Sequence, residues 1–320
     1  MITKKCVAYI DILGFKGHIT SELPNAQKSA IEMLGDINGV FLQDWSESNL
    51  NPWQNYEHGS PQQSLVKRIS VDSFENFLSM SDSIFITGNN ANDFLDQLSS
   101  FLCRCFILTS NEYKNKTKKN NIESVSIKSI DQDKNGKLIT NEEERQWFPL
   151  IFRGGVSFGE VSILEMASLM RDKMQYTPNI AGTGHVKAVE LEKCGGKGPK
   201  LYLDKDIVKE LDENHKALLK TENISGKKVS HYLWPAHFLI RENDLEWELS
   251  QKYSDSLEPA INLWNAYKDE NYAPHYLEFV KLIINSYVAV AQQLKGEEEG
   301  KKIIKDFLQK YDSVGLFFDL

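Results

Sequence analysis

The stretch VAYIDILGFKG, residues 7 to 17, is apolar up to Asp11, and Gly14 follows that carboxylate three positions later. A continuous β-rich run of this kind reads as a central strand buried on both faces. An unpaired carboxylate at its end would carry a desolvation penalty of several kcal/mol or would hold a proton. The first question is therefore what Asp11 faces.

Outward from this strand, the pattern Ala30-Ile31, Leu34, Ile37, Val40-Phe41 recurs at helical spacing between Asn25 and Asp44. WSESNLNPWQNYEHGSPQQS (45–64) is polar with Pro and Gly and reads as a surface insertion. FENFLSMSDSIFITG (74–88) places two short apolar runs around Ser81-Asp82-Ser83, a hairpin pattern. Phe94, Leu98, Phe101-Leu102 and Phe106 form an amphipathic helix between Asp93 and Leu108, and residues 111–148 are a second, charged insertion. LIFRGGVSFGEVSIL (150–164) reads as another hairpin, its apolar runs joined through glycines. A helix is expected after Gly182-Thr183-Gly184, ending at Cys194-Gly195-Gly196, and KLYLDKDIVKEL is a short strand running into a helix. From about Leu257 the pattern is helical. The order βαββαββα with a helical tail predicts an α+β sandwich of the ferredoxin-like βαββαβ kind. The expected division is 1–212, with insertions at about 45–70 and 111–148, and 213–320, a strand and helical C-terminal extension.

Composition narrows the classes of function. The 320 residues are 41% hydrophobic and 26% charged, an ordinary globular balance. A formal charge of −8 argues against a nucleic-acid partner, which calls for a basic face. It also means that a polyanionic substrate would need cations to be held. Cys6, Cys103, Cys105 and Cys194 form no CxxC pair and have no histidine at zinc-finger spacing; reduced thiols in a cytoplasm are expected. The N-terminal apolar stretch is broken by Asp11 too early for a signal peptide, and no run approaches the ~20 apolar residues of a membrane helix, so no membrane association is expected.

In a ferredoxin-like sheet the first strand is central, and the Asp82 hairpin tip can lie beside the end of the Asp11 strand. Two converging carboxylates, with the carbonyl of Ile12 as a third oxygen, suit hard cations such as Mg²⁺ or Mn²⁺. The competing reading makes Asp82 an Asx-turn residue and Asp11 a strand-end cap. Arg153, in FRGGVSFGEV, lies on a strand where Gly155 and Gly159 permit close backbone approach. Its guanidinium can fork onto phosphate oxygens; a strand-edge arginine snorkelling to water is the alternative.

Asp-x-x-Gly-Phe, then Asp at a hairpin tip, then Arg-x-Gly-Val-x-x-Gly, in this order, resemble the class III nucleotidyl cyclases, from about Cys6 to Leu211. More narrowly, YIDILGF and FRGGVSFGEV resemble the pyrimidine cyclases of bacterial Pycsar anti-phage systems. The resemblance implies a class III cyclase sandwich in which Asp11 and Asp82, with the Ile12 carbonyl, bind two Mn²⁺ or Mg²⁺ ions. It implies that Arg153 grips the triphosphate, and that Gly14 and Phe15 form the turn over the phosphates. Base selection falls on Leu78 and Asn179. Leu78 cannot hydrogen-bond a purine edge, whereas Asn179 offers a donor and an acceptor, which favours UTP or CTP. The family's transition-state Asn and Arg, supplied by the partner subunit, fall on Val186 and Glu190, and neither can donate to a developing oxyanion. Lys187 is the candidate replacement, with His185, Arg171 and Lys173 as further options; a solvated helix lysine is the plainer reading of Lys187.

Three other signals stand beside these. DQDKNGKLITNE (131–142) satisfies EF-hand spacing for Ca²⁺, yet SVSIKSI before it alternates like a strand and Asn135-Gly136 favours a hairpin, so a β-ribbon arm is preferred. CGGKGPK (194–200) lacks the Gly-Lys-Ser/Thr ending of a phosphate loop and reads as a tight turn. His231 and His237 have no metal-ligand company. The resulting expectation is a cytoplasmic homodimeric cyclase that makes cUMP or cCMP, in the family context an anti-phage alarm signal. The alternatives are a catalytically silent cyclase-like module that binds nucleotide or a partner, and a purine cyclase.

Overall fold

The computed structural model describes residues 2–16, 34, 35, 37, 39, 40, 72–110, 125–132, 137–145, 149–170, 173–239 and 245–310. Asp11 lies on β1 (Thr3–Ile12), the apolar run quoted above, which pairs antiparallel with β3 (Ser83–Gly88) on one side and β6 (Phe152–Met170) on the other. β2 (Phe74–Met80) hairpins onto β3, so the strand order β2-β3-β1-β6 is the antiparallel ferredoxin-like arrangement with β1 inside. The chain is α+β, as the element order predicts.

Helix α1 (Ala91–Ser110) covers the face bearing Cys6, Ala8, Ile10, Ile12, Ile84 and Ile86, all buried. Phe101 packs on Phe77 and Phe152 across this face. The opposite face receives α2 (Thr183–Glu192), which follows β7 (Lys173–Ala181) and packs on Val7 and Val161 through Ala188. The expected amphipathic helix between 25 and 44 falls mostly outside the described residues; Leu34, Gly35, Ile37, Gly39 and Val40 are helical, and Ile37 and Val40 join the core. The first insertion lies outside the described residues.

LIFRGGVSFGEVSIL is not the hairpin its glycines suggested. It is the first part of the 19-residue strand β6, and the chain reverses only at β7. The glycines make room rather than turns: a Cβ on Gly155 would lie 2.1 Å from the Ala188 carbonyl oxygen, and one on Gly159 would lie 2.8 Å from the Gly184 nitrogen. Helix α2 rests directly on this backbone.

Residues 131, 132 and 138–142 lie in a β-ribbon in which β4 (Val125–Gln132) pairs with β5 (Leu138–Arg145), with Asp131 opposite Ile139; residues 133–136 lie outside the described residues. Strands rather than helices therefore flank the EF-hand-like spacing.

The sheet runs on past residue 212. β8 (Leu201–Leu203) lies parallel to β6 and is followed by α3 (Lys205–Glu210) and α4 (Glu213–Lys216); β9 (Leu219–Ile224) and β10 (Lys227–Tyr232) then extend the sheet, β10 pairing with β8. Ser225 and Gly226, at φ 51° and 82°, turn this hairpin. A 3₁₀ segment (Trp234–Leu239) leads towards α5 (Leu245–Lys252), a π turn, α6 (Glu258–Tyr267), α7 (Ala273–Lys295) and α8 (Glu297–Gln309). Phe279 of α7 stacks on Trp234 and meets Phe106 of α1 edge-on, so these helices share the core beneath the sheet. Among the described residues no helix is long and apolar enough to cross a membrane.

Buried His215 ties α4 to α1, with Nδ1 2.7 Å from Asp212 Oδ1 and Nε2 3.2 Å from Asp96 Oδ1. Burial pulls its pKa down, but Asp96 and then Asp212 outweigh burial and hold it above the ordinary 6.5. A pKa raised on folding contributes stability that is complete below the unfolded value and is lost as pH rises through the folded one. Thermal melts from below pH 6.5 into the alkaline range should therefore show this component decaying in the native protein. It should be absent from His215→Gln, which should lose about 1–3 kcal/mol in acid-side urea titrations.

Candidate active site

In an antiparallel ladder, residues directly opposite each other point to the same face. The register aligns Met80, Ser83, Asp11 and Arg153 in one row, and Leu78, Phe85, Tyr9 and Gly155 in the next. Asp11 is thus flanked by a hydroxyl on β3 and a guanidinium on β6. Ser83 Oγ donates to Asp11 Oδ1 at 2.9 Å, and the Tyr9 hydroxyl lies 2.8 Å from the same Oγ.

Asp82 occupies the β2–β3 turn beside Ser81, which takes φ 61°. The Ile12 N–H donates to the Asp82 carbonyl at 3.0 Å, so one interstrand hydrogen bond joins the backbones that carry the two acids. Burial raises the Asp11 pKa first; the Ser83 hydrogen bond opposes it, Asp82 and then Glu192 raise it further, and Arg153 pulls it down. The net displacement is above the ordinary carboxylate value, the mark of acids that lack full compensation.

Arg153 Nη2 is 4.0 Å from Asp11 Oδ2, and its Nε is 2.6 Å from Glu192 Oε1, a close ion pair without hydrogen-bond alignment. Glu192, at the end of α2, is buried. The glycines under α2 let that helix sit close enough for Glu192 to reach Arg153. Glu192 was not among the residues singled out from sequence; its signal was the acid closing the VELE helix, directly before the glycine loop.

Leu78 shares a row with Phe85, whose ring meets His185 edge-on with centroids 4.6 Å apart. His185 hydrogen-bonds the Ile180 backbone, and burial lowers its pKa. Ile180, opposite Ile163 on β6, lies on the Tyr9 face, whereas Asn179, opposite Leu164, alternates to the other side of the strand, so the register does not bring Asn179 to Leu78. Phe15 is buried in the core, which leaves only its backbone for the turn at Gly14, itself at φ 84°.

Lys187 turns to a different set of partners: its Nζ is 2.6 Å from Asp206 Oδ2 and 3.2 Å from Asp204 Oδ2. The Asp206 hydrogen bond is the main cause of its raised pKa. Val186 is 54% exposed and Glu190 is exposed. Arg171 lies outside the described residues, and Lys173 begins β7. His231 is buried and its pKa is lowered to about 4 by burial and then Lys200; His237 is buried in the 3₁₀ segment.

Among the described residues no group of three or more His, Cys, Asp and Glu side chains is placed to hold a metal ion. Two carboxylates and the Ile12 carbonyl are nonetheless hard oxygen donors of the kind Mg²⁺ and Mn²⁺ take, with substrate phosphates and water completing the shell. The raised Asp11 pKa, to which the neighbouring Asp82 charge contributes, is the kind of charge excess a cation there would relieve.

No family model matches the chain, and no curated protein matches it. Among solved structures, the chain is similar to the guanylyl cyclase Cya2 at 11% identity and a TM-score of 0.37, covering 72% of this chain and 91% of that one. It is also similar to adenylate cyclases from Trypanosoma brucei in their monomeric state, at 11% identity and a TM-score of 0.38, covering 72% of this chain and 90% of that one.

Gly155→Ala should drive a methyl into the Ala188 carbonyl, shift α2 and cost about 1–3 kcal/mol, read as a lower urea midpoint at unchanged slope. An unaltered midpoint would contradict the close seating of α2.

Proposed function

We propose that the chain is a nucleotidyl cyclase that converts a pyrimidine nucleoside triphosphate, UTP or CTP, to its 3′,5′-cyclic monophosphate and pyrophosphate. The observation that carries this reading is the placement of Asp11 between the Asp82 turn on one flank and Arg153 on the other. Asp11, Asp82 and the Ile12 carbonyl would hold Mn²⁺ or Mg²⁺; bound divalent ions supply charge neutralisation at the triphosphate and acidification of the attacking hydroxyl. Arg153 steadies the phosphates, and its tie to Glu192 orients the guanidinium. Leu78 gives the base pocket an apolar wall that offers no hydrogen bond to a purine edge, which favours a pyrimidine.

Among the described residues β2 is the outer strand of this sheet, and Met80 on it is 50% exposed. A second copy of the chain closing over the face that carries these rows would make the working enzyme a homodimer. The resemblance to the Pycsar cyclases extends the reading to a cytoplasmic anti-phage messenger.

The test is product analysis of the purified protein with Mn²⁺ and each of the four nucleoside triphosphates. cUMP or cCMP should form, and Asp82→Ala should lower turnover by at least about 10²-fold. Cyclisation of ATP or GTP alone would contradict the pyrimidine assignment, and activity surviving Asp82→Ala would contradict the metal assignment. One observation favours a second reading, a nucleotide-binding module without turnover: Lys187 is engaged by Asp204 and Asp206, and Val186 and Glu190 supply no donor. That reading predicts metal-dependent nucleotide binding with no cyclic product from any of the four.

A further inference from the structure

The loop Cys194–Lys200, CGGKGPK, begins two residues after Glu192, the ion-pair partner of Arg153. The rest of the fold holds it firmly. Gly154 N–H donates to the Lys200 carbonyl at 3.0 Å, and Trp234 Nε1 donates to the Pro199 carbonyl at 2.7 Å. The Lys200 ammonium is buried between Glu222 at 2.8 Å and Glu278 at 3.0 Å. Gly198, at φ 83°, donates its N–H to His275 Nδ1 at 3.1 Å.

This hydrogen bond sets the chemistry of His275. With Nδ1 accepting, the neutral ring carries its proton on Nε2, a donor with no partner among the described residues. Burial, then the Arg153 and Lys197 charges, lower the His275 pKa. Lys197 is exposed and has no ion-pair partner among the described residues. His275 lies in the first turn of the 23-residue helix α7, whose N-terminus adds a partial positive charge. The glycine loop thus joins the start of β6, through the Gly154–Lys200 hydrogen bond, to the first turn of α7, through the Gly198–His275 one.

We propose that Lys197 and His275 act with Arg153 as the subsite for the terminal phosphates of the substrate and for the leaving pyrophosphate. This rests on the cyclase reading above and adds residues that lie outside its metal and base pockets. In the reaction the 3′-oxygen forms a bond to the α-phosphorus as the α–β bridging P–O bond breaks. The electron pair stays with the pyrophosphate oxygen, and the 3′-hydroxyl proton passes to solvent. Lys197 Nζ and His275 Nε2–H meet the charge that accumulates on the leaving group. They supply, from within the same chain, donors that Val186 and Glu190 cannot.

The experiment measures KM for the preferred triphosphate and product inhibition by inorganic pyrophosphate for Lys197→Ala, His275→Ala and His275→Gln. Each alanine variant should weaken pyrophosphate inhibition about tenfold and raise KM by a similar factor, with the cyclic product unchanged. His275→Gln, which keeps an N–H donor, should recover part of the loss. Pyrophosphate inhibition equal to that of the native protein in both alanine variants would overturn the proposal. Calorimetric titration with inorganic pyrophosphate needs no turnover and separates the two claims. Binding by the native protein that is lost in Lys197→Ala supports the subsite even if no triphosphate is cyclised. No binding by the native protein, or equal binding by the variant, overturns it even if cyclic nucleotide forms.

Discussion

The site depends on the antiparallel register of β1 between β3 and β6. Because Asp11 stands opposite Ser83 on one side and Arg153 on the other, the carboxylate at the end of a buried strand has a hydroxyl donor, a guanidinium and a neighbouring acid around it. A slip of one residue in either pairing would send Asp11 to the face covered by α1, among Ile10, Ile12 and Ile86, where a charge has no partner. Apolar burial on that face therefore fixes the register, and the register places the polar groups on the other.

The same register explains why α2 sits so close. Gly155 and Gly159 remove side chains where the helix backbone approaches β6, and that approach brings Glu192 to Arg153. The arginine is held from two sides, by Asp11 and by Glu192, and is a pre-oriented fork rather than a free surface cation. The glycine loop that follows α2 is in turn hydrogen-bonded to the first turn of α7, so the C-terminal helices brace this loop as well as completing the core.

Much of this was legible in the sequence. The apolar run ending in Asp11, the Ser81-Asp82-Ser83 bend and the arginine before paired glycines are short-range patterns, and the ferredoxin-like order follows from alternating strand and helix periods. Other features were not legible because they depend on contacts distant in sequence. Glycines in a strand read as turns unless the helix that fills their space is known, so residues 150–164 read as a hairpin in sequence, whereas from Phe152 on they are continuous strand in the fold. The β9–β10 hairpin, turned by Ser225-Gly226, is hidden in a polar stretch whose burial comes from pairing with β8 and from packing distant in sequence. Lys187 looked available from its place on α2, yet Asp204 and Asp206, beyond the next strand, engage it. Glu192, Lys197 and His275 each carried a residue-level hint but no spacing rule that joins them.

The most direct test of the account is Mn²⁺ titration followed by electron paramagnetic resonance in the presence of a non-hydrolysable pyrimidine triphosphate, on the native chain and on Asp11→Asn and Asp82→Asn. The account predicts that the native chain takes up Mn²⁺ as a close, spin-coupled pair and that either substitution abolishes the coupling. A native-like Mn²⁺ signal in both variants would show that the two acids do not share a cation, and would contradict it.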